Sequence, residues 1–103
     1  MVRKVLQINF KLNIPVAAYK QVVDQQGALI ADVKGLVWKI WLMNESDKEA
    51  GGIYLFEDEA SAKAYLEGPI TAGLTKSGAV SDISAKIFDI MDGPTRIARG
   101  PIG

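Results

Sequence analysis

Gly35-Leu36-Val37-Trp38-Lys39-Ile40-Trp41, followed by Glu49-Ala50-Gly51-Gly52-Ile53-Tyr54-Leu55-Phe56, decides how this chain folds. Both segments are rich in β-branched and aromatic residues, and a polar run over 44–48 separates them, so they read as the two strands of a hairpin. The first strand extends from Leu36 to about Asn44. Leu36, Trp38, Ile40 and Leu42 share one face, and Val37, Lys39, Trp41 and Met43 share the other. Because both faces are largely apolar, both are expected to be covered. The second strand runs from Gly51 or Gly52 to Glu57, with Ile53 and Leu55 opposite Tyr54 and Phe56. The glycine pair marks a bulge or a place where another backbone comes close.

Outward from the hairpin, Val5 to Leu12 alternates strictly, placing Leu6, Ile8, Phe10 and Leu12 on one side and Gln7, Asn9 and Lys11 on the other. Asn13 as cap and Pro15 in the first turn predict a helix. Val16, Tyr19, Val23 and Ile30 keep helical spacing towards Gly35, with Gly27 as a weak point. Asp58 caps a second helix carrying Ala62, Tyr65 and Leu66, which Gly68-Pro69 stops. A short helical turn follows over 70–76, then a last strand from Val80 to Met91. The order strand–helix–strand–strand–helix–strand predicts an α+β, ferredoxin-like βαββαβ fold with a four-stranded antiparallel sheet. Residues 1–92 form the single domain, and 93–103 are expected to be an extended C-terminal tail. Helices cover only one sheet face, so a second copy is expected on the other, giving a homodimer with Lys39 and Trp41 near the interface.

Composition removes whole classes of chemistry. The chain has 103 residues, enough for one domain. It contains neither histidine nor cysteine, which removes disulfides, thiolate nucleophiles, imidazole bases and the usual zinc sites. No loop has the dense acidic spacing of a Mg²⁺ or Ca²⁺ site, so no metal is expected. Nor is there a Gly-rich dinucleotide loop, so no cofactor is expected. Twelve basic residues balance twelve acidic ones, which argues against nucleic acid. No apolar run reaches the ~20 residues of a membrane span. The first residues, Met1 to Lys4, lead straight into a strand, and a cytoplasmic location is expected.

The remaining chemistry rests on rings, amides, hydroxyls and lysines. Trp38 and Trp41, three apart on a strand, face opposite sides; each either stacks on a planar substrate or fills core and interface. Tyr54 and Tyr65 either donate hydrogen bonds to a substrate phenolate or satisfy themselves locally. Lys39 and Lys86 either stabilise an enolate or phenolate, or snorkel outward or pair with a carboxylate such as Glu49 or Asp89. Gln7 and Asn9 either bond across a dimer interface or line a polar pocket. The candidate catalytic residues are thus Tyr54 and Lys39. The candidate substrate-binding residues are Trp38, Trp41, Asn9, Gln7, Phe56, Tyr65 and Lys86.

Residues 36–41, 49–56, 61–67 (Ser-Ala-Lys-Ala-Tyr-Leu-Glu) and 85–90 (Ala-Lys-Ile-Phe-Asp-Ile) resemble the YdhR family of small bacterial proteins described as mono-oxygenases. The resemblance implies a dimeric α+β barrel of the kind shared by cofactor-independent quinone-forming mono-oxygenases, muconolactone isomerases and small polyketide cyclases. It implies cofactor-independent mono-oxygenation of a small aromatic or polyketide-like compound. The alternatives are a non-catalytic dimer that binds a small hydrophobic ligand, and an isomerase or cyclase on the same scaffold.

Overall fold

The computed structural model describes residues 2–103. Its elements run β1 (Lys4–Leu12), α1 (Val16–Ala31), β2 (Leu36–Asn44), β3 (Glu49–Phe56), α2 (Glu59–Leu66), α3 (Pro69–Lys76), β4 (Val80–Asp89) and α4 (Asp92–Ile97). The four strands form one antiparallel sheet in the order β2-β3-β1-β4, the ferredoxin-like arrangement. Helix α1 runs through Gly27 without a break. Asp58 caps α2, its carboxylate accepting from the Ser61 amide at 2.8 Å. Pro15, not Asn13, precedes α1; the Asn13 amide instead donates to the Gly78 carbonyl at 3.2 Å, tying the end of β1 to the turn before β4.

Register fixes which residues share a face. On the helix-covered face, cross-strand rows read Lys39–Tyr54–Leu6–Ile87 and Trp41–Gly52–Ile8–Ala85. On the opposite face they read Trp38–Leu55–Val5–Phe88 and Ile40–Ile53–Gln7–Lys86. The core lies under the helices, where Leu6, Phe56 and Ala62 are fully buried beside Phe10, Tyr19, Tyr54 and Tyr65. A register shift between Leu36 and Trp38 pairs Leu36 with Phe56. This bulge turns Leu36 onto the core face, away from Trp38, which strict alternation had placed beside it.

Two further expectations change. The last strand ends at Asp89, and the segment expected to extend as an arm contains α4 and then folds back. The indole N–H of Trp38 donates to the Pro101 carbonyl at 2.8 Å, and the Arg3 guanidinium donates to the Ile102 carbonyl at 2.7 Å. Ile102 is buried, as is Leu55, which pairs with Trp38. The chain's own C-terminal residues therefore cover one end of the second sheet face. Elsewhere on that face Ile40 is 49% and Phe88 46% exposed.

Candidate functional site

A small chamber lies between the sheet and helices α1 and α3, and it gathers the polar groups of an otherwise apolar core. Its volume is about 50 Å³. Ile8, Trp41 and Ala85 contribute from the sheet, and Tyr19, Ile70 and Leu74 from the helices. The chain's three tyrosines, Tyr19, Tyr54 and Tyr65, all line it, together with Lys39. Tyr54 reaches the site from β3 and Tyr65 from α2, and their hydroxyls lie 3.2 Å apart in a buried hydrogen bond. Phe56 stacks on Tyr54 with ring centres 6.1 Å apart and lies 5.8 Å from Tyr65. It sits behind the pair as a fully buried prop and does not line the chamber.

Lys39 is the unusual group. Its Nζ lies 3.2 Å from the centre of the Trp41 ring and 4.6 Å from that of Tyr54. Among the described residues it makes no salt bridge. Burial without a carboxylate lowers its ammonium from 10.5 to about 7. The two ring faces favour the charged form, so amine and ammonium are both accessible near neutrality. Burial, with Tyr65 alongside, drives the Tyr54 hydroxyl well above the ordinary tyrosine range, and burial raises Tyr65 and Tyr19 as well. These phenols stay protonated and act as hydrogen-bond donors. The site therefore combines one amine able to take a proton near pH 7 with neutral donors beside it in an apolar enclosure.

Gly52 makes room for this amine. A Cβ at Gly52 would fall 2.6 Å from Lys39 Cε and 3.1 Å from the Tyr54 ring. The first of these is the far part of a flexible stem, so Gly52→Ala is expected to displace the amine from Trp41 with little loss of stability. Activity should fall at least tenfold, with a thermal midpoint within a few degrees of the parent; unchanged turnover would show that the amine's placement over Trp41 is immaterial.

Of the nine residues singled out from the sequence, the structure brings four together in the chamber: Lys39, Trp41, Tyr54 and Tyr65. Trp38, Gln7, Asn9 and Lys86 lie on the opposite sheet face and cannot serve it. There the Gln7 amide donates to Asn9 Oδ1 at 3.0 Å. Lys39 and Trp41 face the helices, which corrects their expected place at a sheet-to-sheet interface. Tyr19, missed as a site residue, packs edge-on to Phe10 at 5.9 Å between ring centres. Its sequence signal was a hydroxyl on the core-facing stripe of a helix, where an aromatic with a polar handle needs a partner. No group of three or more carboxylates, the kind of cluster that holds a metal, is present among the described residues. No helix there is long and apolar enough to cross a membrane.

Comparison with known proteins agrees with this architecture. A protein of unknown function from Nitrosomonas europaea superposes with a TM-score of 0.74 at 18% identity, covering 90% of this chain and 93% of that one. SnoaB, a cofactor-independent oxygenase from Streptomyces nogalater, gives 0.71 at 18% identity over 89% and 96%. A monooxygenase from the ActVA-Orf6 gene of Streptomyces coelicolor, in complex with nanaomycin D, gives 0.65 at 17% over 89% and 90%. At these identities the likeness establishes the fold. No curated protein matches by sequence. The family described as "Putative mono-oxygenase ydhR" matches residues 5–101, nearly the whole chain, and the protein belongs to that family.

Proposed function

We propose that the protein is a mono-oxygenase that draws its electrons from the substrate, an electron-rich phenol, hydroquinone or anthrone, and needs neither metal nor organic cofactor. The observation that carries this reading is the unpaired Lys39 amine over Trp41, beside the Tyr54–Tyr65 hydroxyl pair in an apolar chamber. As a neutral amine, Lys39 takes a proton from the activated C–H or O–H of the substrate; the ammonium so formed stabilises the resulting anion. With an anthrone, the carbanion transfers electrons to O₂ and a C–O bond forms, giving a peroxide anion that recovers the proton from Lys39. Lys39 then removes the second hydrogen from the same carbon as the O–O bond breaks. The departing hydroxide takes that proton as water, and the carbon becomes a carbonyl. One oxygen atom enters the product, two hydrogens leave, and no external reductant is consumed. The Tyr hydroxyls donate to the substrate oxygen as its negative charge develops.

Oxygen uptake with a panel of anthrones, hydroquinones and naphthols, followed by product mass under ¹⁸O₂, tests the reading. Uptake above the protein-free rate with one labelled oxygen in the product supports it. Product change without label moves the assignment to isomerase or cyclase, and binding without any product change moves it to a ligand carrier.

The open end of the second sheet face bears on assembly. Half-exposed Ile40 and Phe88 lie there beside Ile53 and Val5, and a second copy pairing sheet to sheet would remove them from water. The expected state is a homodimer by sedimentation at micromolar concentration, converted to monomer by Ile40→Glu. A monomeric parent protein would end this assignment.

A further inference from the structure

The chamber is too small for the substrate it would have to treat. Its volume of about 50 Å³ compares with ~150 Å³ for a cavity that accepts benzene. A second cavity of about 620 Å³ opens between α1 and α3, within the ~300–1,000 Å³ usual for ligand pockets. The two adjoin: Tyr19, Val22, Gln26, Ile70 and Leu74 line both. Beyond these shared residues the larger cavity is walled by Ile14, Leu29, Pro69 and Ala79, with Ser77 as its one further polar side chain. Leu29 is 57% exposed, an apolar side chain left to solvent at the rim of the cleft.

We propose that the α1–α3 cleft is a second subsite for the apolar body of the substrate, with only the oxygen-bearing edge of its ring entering the chamber at Lys39. This rests on the reading given above for the chamber, and it names the substrate class more narrowly: a phenolic or enolic ring bearing an extended apolar arm. Small, many-hydroxylated phenols fit poorly, because the cleft offers them few polar partners and an apolar wall gains nothing from burying hydroxyls.

Gly73 on α3 gives a clean test. It lines the cleft, its backbone is ordinary helix, and a Cβ built on it meets nothing within 4 Å. Gly73→Leu therefore fills the cleft from one side without strain, and it replaces a poor helix former with a good one. Gly93 on α4, whose Cβ also meets nothing within 4 Å and which lines neither cavity, supplies Gly93→Leu as a control. The probes are phenol and its 4-ethyl, 4-butyl, 4-hexyl and 4-octyl derivatives, with binding read by quenching of tryptophan fluorescence without any turnover.

For the parent and Gly93→Leu, affinity is expected to rise roughly fourfold per added methylene until the cleft is filled. In Gly73→Leu that rise should flatten after the first carbons, while phenol itself binds as before and the thermal midpoint is not lowered. No dependence on chain length in the parent, or the same dependence in Gly73→Leu, would overturn the subsite. Binding and oxygen uptake fail separately. Length-dependent binding without oxygen uptake keeps the subsite and ends the oxygenase reading; uptake with short phenols and no length dependence does the reverse.

Discussion

Lys39→Met is expected to lower oxygenation by about 10²–10⁴-fold, the usual contribution of a positioned general base, while the chain stays folded. Methionine keeps much of the length and apolar bulk that packs on Trp41, but it can neither take a proton nor carry the charge that stabilises the anion. In the parent protein only the neutral amine is active as a base. With the ammonium held to about 7, kcat/KM should fall tenfold per unit of pH below that value and level off above it. Lys39→Met should lose this limb of the profile together with the rate. A variant with near-parental turnover, or with the same acid limb, would assign the base elsewhere.

The same substitution has a thermodynamic signature that does not depend on any substrate. Burial lowers the Lys39 ammonium to about 7 in the folded protein from an ordinary 10.5, which the unfolded chain retains. Between these values the unfolded chain holds the proton and the folded chain does not, so stability rises as pH rises through this window. Below about pH 7 both states are protonated, and the folded protein bears the cost of holding the half-buried ammonium partly out of water. Lys39 is half-buried, and water at its exposed side screens the charge, so the effect is roughly 1–3 kcal/mol, less than the full ~1.4 kcal/mol per pH unit. Lys39→Met should therefore stabilise the protein most below pH 7, and its advantage should shrink towards pH 10. Parallel urea-unfolding curves for parent and variant across this range would contradict the burial of an unpaired amine.

Gly51→Ala is expected to cause the largest loss of stability of any single methyl addition. Gly51 lies in β3 between β1 and β2, opposite Asn9 and Leu42. A Cβ there would fall 2.0 Å from the Ile8 carbonyl oxygen and 2.9 Å from its carbon. Those atoms are backbone in the middle of a paired strand, so relief requires β1 and β3 to separate and give up ladder hydrogen bonds. The expected cost is about 4 kcal/mol or more, a large share of the ~5–15 kcal/mol that holds a domain of this size. Urea unfolding with far-ultraviolet circular dichroism measures it directly, and a loss below about 1 kcal/mol would mean that the strands have room to adjust. The contrast with Gly52→Ala is instructive: one neighbouring glycine accommodates a backbone, the other a flexible lysine stem, and only the first is expected to cost the chain a large share of its stability.

Much of the architecture was legible in the sequence because it depends on local periods. Strict alternation in β1, the apolar runs of β2 and β3, the Asp58 cap and the Gly68-Pro69 stop are written in consecutive residues. With right-handed crossovers they leave few topologies, and the strand order β2-β3-β1-β4 is the one expected. The reading of the Gly51-Gly52 pair as a bulge or a point of close backbone approach likewise needed only the absence of side chains; the structure shows the close backbone at Gly51, and a lysine stem at Gly52. The opposition of Trp38 and Trp41 followed from their spacing.

Consecutive residues thus dictate the kind and order of the elements, the strand alternation, and a chemistry without imidazole or thiol. Tertiary structure alone decided which side of the sheet the helices cover. That choice put Lys39 and Trp41 in the chamber and left Gln7, Asn9, Lys86 and Trp38 outside it. Alternation separates two faces but does not say which is which when both are apolar. The bulge that turns Leu36, the return of the C-terminal residues onto Trp38, and the meeting of Tyr19, Tyr54 and Tyr65 were equally out of reach. Each joins residues far apart in the chain, and their proximity is set by packing, which no local period encodes.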